Sequence, residues 1–177
     1  MTKVVIFNNE KTGCLSILIP AEKIYVPVGV SPLKREDFLA PGRDFGIPDG
    51  YREATLEEVA MRDIPAGVQW HVVPRTSIPE DRYFRDAWLH EAGALYIHMD
   101  KAREVHKNAL REKRAEILIA LDTAYLQADE RGDSVEKAII AQKKQSLRDI
   151  TAHPDLDAVT DLDALKQVGM DVLAAVK

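Results

Sequence analysis

Any chemistry in this chain would have to come from its histidines and carboxylates, because its one cysteine, Cys14, has no partner thiol for a disulfide or a zinc site. Five histidines stand at positions 71, 90, 98, 106 and 153. The most suggestive grouping is His98, Asp100 and His106, which places two imidazoles and a carboxylate near one helix start, a set of metal-ligand types. The two histidines lie more than two helical turns apart, about 12 Å along an axis rising 1.5 Å per residue, too far for one ion without ligands from elsewhere. The sequence holds no His-Glu-x-x-His pattern, no glycine-rich phosphate loop and no Gly-x-Ser-x-Gly elbow. Acidic pairs such as Glu57 with Glu58 and Asp161 with Asp163 suit the first turns of helices, where negative charge complements the macrodipole. The expectation is a protein with no catalytic residues, no cofactor and no metal.

The elements available to position such residues follow an α+β order. A β-rich region with short helices is expected over residues 1–98, an antiparallel helical hairpin over 99–152, and a short helix and tail over 153–177. The hairpin has the longest hydrophobic period. Its first arm starts at Asp100 and runs without Gly or Pro to about Glu130, with Leu110, Ile117, Leu121, Ala124 and Ala128 along one side and Leu118 and Tyr125 widening the seam. Lys101, Arg103, Lys107, Arg111, Lys113 and Arg114 charge the first half, so the half from Ala115 to Ala128 is expected to be the packed one. Glu130-Arg131-Gly132-Asp133-Ser134 offers a left-handed stop and a new N-cap. The return arm carries Val135, Ala138, Ile139, Gln142, Leu147 and Ile150 until Pro154.

Upstream, Lys3 to Phe7 and Cys14 to Ile19 read as a β-hairpin around a polar turn. Ile24 to Val28 would add a third strand, held to an edge or a bulge by Pro27, which makes Tyr25 and Val26 candidates for contact with a partner. Residues 31–50 are rich in Pro and Gly and predict a long surface loop carrying Phe38 and Phe45. Thr55-Leu56-Glu57-Glu58 is a capping box for a helix to about Arg62. Gln69 to Val73 reads as a strand, Pro79 to Trp88 as a short helical turn whose Tyr83, Phe84 and Trp88 can lie on one face and staple it onto the sheet or the hairpin, and Ala94 to His98 as a brief strand. Thr160-Asp161-Leu162-Asp163 caps a last helix that Gly169 interrupts.

The 177 residues, 46% of them hydrophobic, can bury a core, and the net charge of −5 argues against general affinity for nucleic-acid phosphates. The segment from Met99 to Thr151 is the exception in balance, with eleven Lys or Arg against ten Asp or Glu, while the segments on either side are each −3. Such a mixture is a solvated helical face more often than a phosphate site. No apolar run reaches the roughly 18 residues of a membrane span, and the start has no secretory h-region, so assembly inside a cell is expected.

Four stretches carry a family resemblance: Ile64 to Trp70, Ile78 to Trp88 with its Arg-Asp-Ala-Trp turn, Met99 to His106, and Lys144 to Ile150. Together they resemble small proteins of tailed-bacteriophage and prophage structural gene clusters, associated with tail, tail fibre or neck. The C-terminal part is similar to that of tail-fibre assembly proteins. The resemblance covers residues 50–165 and implies a non-enzymatic virion protein made in the host bacterial cytoplasm, present in several copies or as a homo-oligomer, with other phage structural proteins as partners; from charge and hydropathy no membrane is expected among them and nucleic acid is disfavoured. An assembly chaperone absent from the mature virion is the alternative. A nucleic-acid adaptor working through Lys101 to Arg114 with Lys143, Lys144 and Arg148 is a third. Contact residues expected for the leading reading are Tyr25, Val26, Phe38, Phe45, Tyr83, Phe84, Trp88, Arg103, Lys107, Arg111 and Arg114.

Overall fold

The structure, a computed structural model, describes residues 3–19, 23–40 and 46–176. The fold is α+β, and the chain divides into two compact units, Met1–Ile97 and His98–Lys177. In the first unit β1 (Lys3–Asn9), β2 (Cys14–Leu18), β3 (Tyr25–Pro27), β4 (Tyr51–Glu53), α1 (Leu56–Asp63), β5 (Trp70–Pro74), β6 (Trp88–Glu91) and β7 (Ala94–Ile97) follow in order.

The main sheet is antiparallel with order β2-β1-β5. Val4, Val5 and Ile6 of its central strand are all fully buried, because both faces of β1 are covered; the uninterrupted apolar run reports this. On one face Val4, Ile6, Leu15 and Val73 pack with Trp88, and Leu95 and Ile97 of the β6–β7 hairpin close over them. On the other, Val5 packs with Ala60 and Ile64, and Phe7, Leu18, Trp70 and Val72 join the same cluster. A hairpin, a three-stranded sheet and one helix thus form three layers. The sequence reading made Trp88 part of a helical turn; it begins β6 instead, after a 3-10 turn at Arg85–Ala87, and the hairpin reverses through Ala92 and Gly93, whose φ of 49° and 84° are those of a tight two-residue turn. The expected third strand at Ile24 to Val28 does not join this sheet. It is β3, and it pairs with β4, a strand of three residues too short to register as a period, while Tyr25 and Leu39 exchange backbone bonds of 2.8 and 2.9 Å.

The helix α1 opens on the expected capping box. Glu58 N–H donates to Thr55 Oγ1 at 3.2 Å, and Thr55 N–H donates to Glu58 Oε2 at 2.9 Å. The same carboxylate receives both terminal nitrogens of Arg52, at 2.6 and 2.8 Å, which ties β4 to the helix start. That guanidinium, followed by the backbone bond from Thr55, lowers the Glu58 carboxyl to about 2.

The second unit contains α2 (Met99–Glu130), α3 (Ser134–Asp149), α4 (Asp155–Ala158), α5 (Leu162–Gln167) and α6 (Met170–Val176). The helix α2 starts one residue before the expected Asp100: His98 is its N-cap and makes no side-chain capping bond, and Asp100 falls in the first turn, where it accepts from Arg103. Gly132 takes φ 69° past its end, and Asp133 caps α3 through the Glu136 N–H. Ion pairs at Asp129 with Lys137 and at Asp122 with Lys144 show α3 running back along α2.

The expectation that Ala115 to Ala128 is the packed half of α2 is reversed. Ala102, His106 and Leu110, four residues apart, are fully buried, and between 115 and 128 only Ala128 is. What fills the space against the first half is the C-terminal segment, read as a short helix and tail: Leu156, Leu165, Leu173 and Val176 are buried in this unit with Leu147 and Ile150. Gly169 makes the closest approach. It sits at φ 76°, and a Cβ there would lie 2.8 Å from Ile150 Cγ1.

Two measurements follow from these contacts. Gly132 and Gly169 share the left-handed conformation, but only Gly169 is crowded, so Gly132→Ala should cost about 1–2 kcal/mol for the backbone alone and Gly169→Ala clearly more. Chemical denaturation of both variants decides it, and equal losses would contradict the packing. A carboxyl lowered by folding contributes stability above its unfolded value of 4.5 and loses it as pH falls toward about 2. Urea midpoints over that window should drop less for Glu58→Gln than for the parent chain.

Candidate functional site

The basic first half of α2 was expected to offer Arg103, Lys107, Arg111 and Arg114 to a partner. Three of the four are engaged inside their own unit. Arg103 donates from Nη2 to the Val159 carbonyl at 3.2 Å, at the C-terminal end of α4. Arg114 donates from Nη1 to the carbonyls of Leu147 and Arg148, at 3.2 and 2.8 Å, in the last turn of α3. Lys107 pairs with Glu104 and with Asp157 of α4. His106, buried between them, donates from Nε2 to the Val168 carbonyl at 3.0 Å, at the C-cap of α5; the tautomer is assigned from this acceptor, and burial lowers the imidazole's pKa. One helix face thus supplies donors to the C-terminal ends of three others, where backbone carbonyls have no partner within their own helix. Arg111 is exposed, with its guanidinium on Asn108.

The aromatic and strand candidates divide in the same way. Tyr25, Val26, Phe84 and Trp88 are core residues of the first unit, so they cannot present a surface to a partner. Their apolar character reflects packing, as Trp88 beneath the sheet shows. Tyr83 is half-buried, edge-on to Phe84 with ring centroids 4.7 Å apart. Phe38 is half-buried with the Arg62 guanidinium 5.0 Å above its ring, beside a cleft of about 490 Å³ that Val30, Pro32 and Met61 also line. Phe45 lies outside the described residues.

The histidines do not converge. His98 caps α2 while His106 is buried two turns on, and His71 and His90 meet in the first unit with their rings 5.2 Å apart and nearly perpendicular. Burial and then the neighbouring His71 lower the His90 pKa. Among the described residues no group of three or more His, Cys, Asp or Glu side chains is placed to hold a metal ion.

The surface that sequence reading missed is the distal part of α2 and α3. Beyond Arg114 these helices meet through Ala128 and Ile140, with Tyr125 flanked by the ammonium groups of Lys137 and Lys144 at 5.4 and 5.2 Å from its ring. Their outer sides carry Ile119 and Leu126, seven residues apart and 68% and 62% exposed, and Val135 and Ile139, four apart and 70% and 51% exposed. Spacings of seven and four keep each pair on one helical face. The spacing of the return arm groups Val135 and Ile139 with Leu147, whereas the buried residues of α3 are Ile140 and Leu147. The available signal was the offset of Ile119 and Leu126 from the seam through Ile117, Leu121, Ala124 and Ala128. Compared with protein-family models, curated proteins and solved structures, the chain matches none.

The contrast between the two halves of α2 is measurable. Leu110→Ala removes a fully buried side chain and should cost about 2–5 kcal/mol, whereas Leu126→Lys should change stability by no more than about 0.5 kcal/mol. Denaturation followed by far-UV circular dichroism checks both, and the reverse ranking would overturn the assignment of the buried half.

Proposed function

We propose that this chain is a non-enzymatic bacteriophage protein that makes protein–protein contacts in the tail, tail-fibre or neck region, present in several copies per particle. The observation that carries the reading is the set of exposed aliphatic side chains on the distal α2 and α3, Ile119, Leu126, Val135 and Ile139, beyond the part of the unit that α4, α5 and α6 fill. Exposed apolar side chains on both helices are suited to being covered by another chain. The resemblance of residues 50–165 to phage structural-cluster proteins supplies the class of partner. Of the nine Lys and Arg residues on which a nucleic-acid adaptor would depend, Arg103, Lys107 and Arg114 are engaged within their own unit, which weakens that reading.

Mass spectrometry of purified particles tests the proposal. The chain should be present at a stoichiometry above one per particle. A variant carrying Ile119→Asp, Leu126→Asp, Val135→Asp and Ile139→Asp should retain its helical circular dichroism and fall at least tenfold in incorporation. Absence of the parent chain from mature particles would sink the virion role and favour the assembly chaperone.

A further inference from the structure

A cleft of about 630 Å³ opens at one end of the main sheet, where the β6–β7 hairpin stops short of covering it. Its floor is aliphatic: Ile17 and Ile19, with Ile78 from the loop after β5, over the buried Val4. Val4 and Ile17 belong to the same face of the sheet as Ile6, since Val5 pairs with Leu18 and Ile6 with Ile17. Among the described residues three guanidiniums line the cleft, Arg75, Arg82 and Arg85, against one carboxylate, Glu80. Among the described residues none of these three arginines takes part in an ion pair; Arg82 instead lies 5.7 Å over the buried Trp88 ring. The floor also borders the outer edge of an end strand, because among the described residues the sheet bonds of β2 run to β1.

We infer that this cleft is a docking site for an extended acidic peptide segment of a partner protein, added as a strand along β2 with an aliphatic side chain on the floor and flanking carboxylates at Arg75, Arg82 and Arg85. Guanidinium forks match carboxylates in a bidentate manner, an excess of two positive charges at the rim calls for anionic groups, and alternate side chains of an added strand reach the same face of the sheet. A nucleic-acid strand fits less well: the aromatic ring that Arg82 covers, Trp88, is fully buried, so no base can stack on it. The inference stands on the first unit's cleft and is independent of the role proposed above, since peptide binding is read without reference to particles.

The test uses the full chain and a fluorescein-labelled peptide of alternating sequence Glu-Ile-Asp-Val-Glu, a twin with Gln and Asn in place of the acids, and oligothymidylate. The acidic peptide should bind at least tenfold more tightly than its amide twin, weaken with added salt, and shift backbone amide resonances at residues 15–19 and 75–85. Arg75→Gln with Arg85→Gln should weaken it at least tenfold with an unchanged thermal midpoint. If the double variant unfolds, Arg75→Gln alone together with the salt dependence of the parent carries the same comparison. Equal binding of the amide twin, no binding of the acidic peptide at millimolar concentration, resonance shifts elsewhere, or tighter binding of oligothymidylate would each overturn the proposal.

Discussion

The second unit depends on what happens where its short helices end. An α-helix leaves its last four carbonyls without partners, and helices of four, six and seven residues are too short to persist by their own propensity. Here α2 answers both problems with one face. Ala102, His106 and Leu110 supply the apolar stripe, while Arg103, His106 and Arg114 donate to carbonyls at the ends of α4, α5 and α3. These bonds are part-buried, and a carbonyl left unmet in such a place costs up to about 1–3 kcal/mol, so the three donors add to what the apolar stripe supplies. His106 serves in both roles only as the neutral imidazole, the form that burial favours.

The first unit meets the same shortage of material by layering. Three strands cannot close on themselves, so each face of β1 is covered by a different short element, α1 on one side and the β6–β7 hairpin on the other. The hairpin is pinned by polar means as well as by Trp88. The Asn8 side chain donates to the His90 carbonyl at 3.1 Å and accepts from the His90 N–H at 3.2 Å, so one amide reproduces the double bond of a strand pair across 82 residues of sequence. A hairpin of four-residue strands spans only part of the sheet, and the uncovered end is where the arginine-lined cleft opens.

Features that act through local chemistry were legible in the sequence. Thr55 with Glu58, Gly132 with Asp133 and Asp161 all lie where their turn and capping preferences place them, because those preferences are satisfied within four residues. Features decided by distant partners were not. Which half of α2 is buried depends on a C-terminal segment some fifty residues away; without it, Arg103, Lys107 and Arg114 read as solvated charge and Ala102, His106 and Leu110 as a weak stripe. The short β4 and β6 exist because β3 and β7 pair with them, and neither carries a period of its own. The candidate contact surface differs for the same reason: Phe84 and Trp88 suit a staple onto the sheet as well as a partner contact, and the choice between the two is made by the sheet that buries Trp88.

The distal part of α2 and α3 is the one region where burial and length fail to match. A helix of 32 residues is about 48 Å long, far more than the short C-terminal helices can cover. The faces the two helices turn to each other are already filled by Ala128, Ile140 and the Lys–Tyr125 contacts, so the arm cannot bury Ile119, Leu126, Val135 and Ile139 by closing on itself. Covering what is exposed of these four side chains is worth about 4–8 kcal/mol, and association of two bodies opposes this with about 4–15 kcal/mol of lost freedom. A single arm would therefore hold a partner weakly. Repetition changes the balance, because in an array of copies the second contact forms at the high effective concentration set by the first, which would make a weak two-helix surface adequate for the proposed role in several copies per particle.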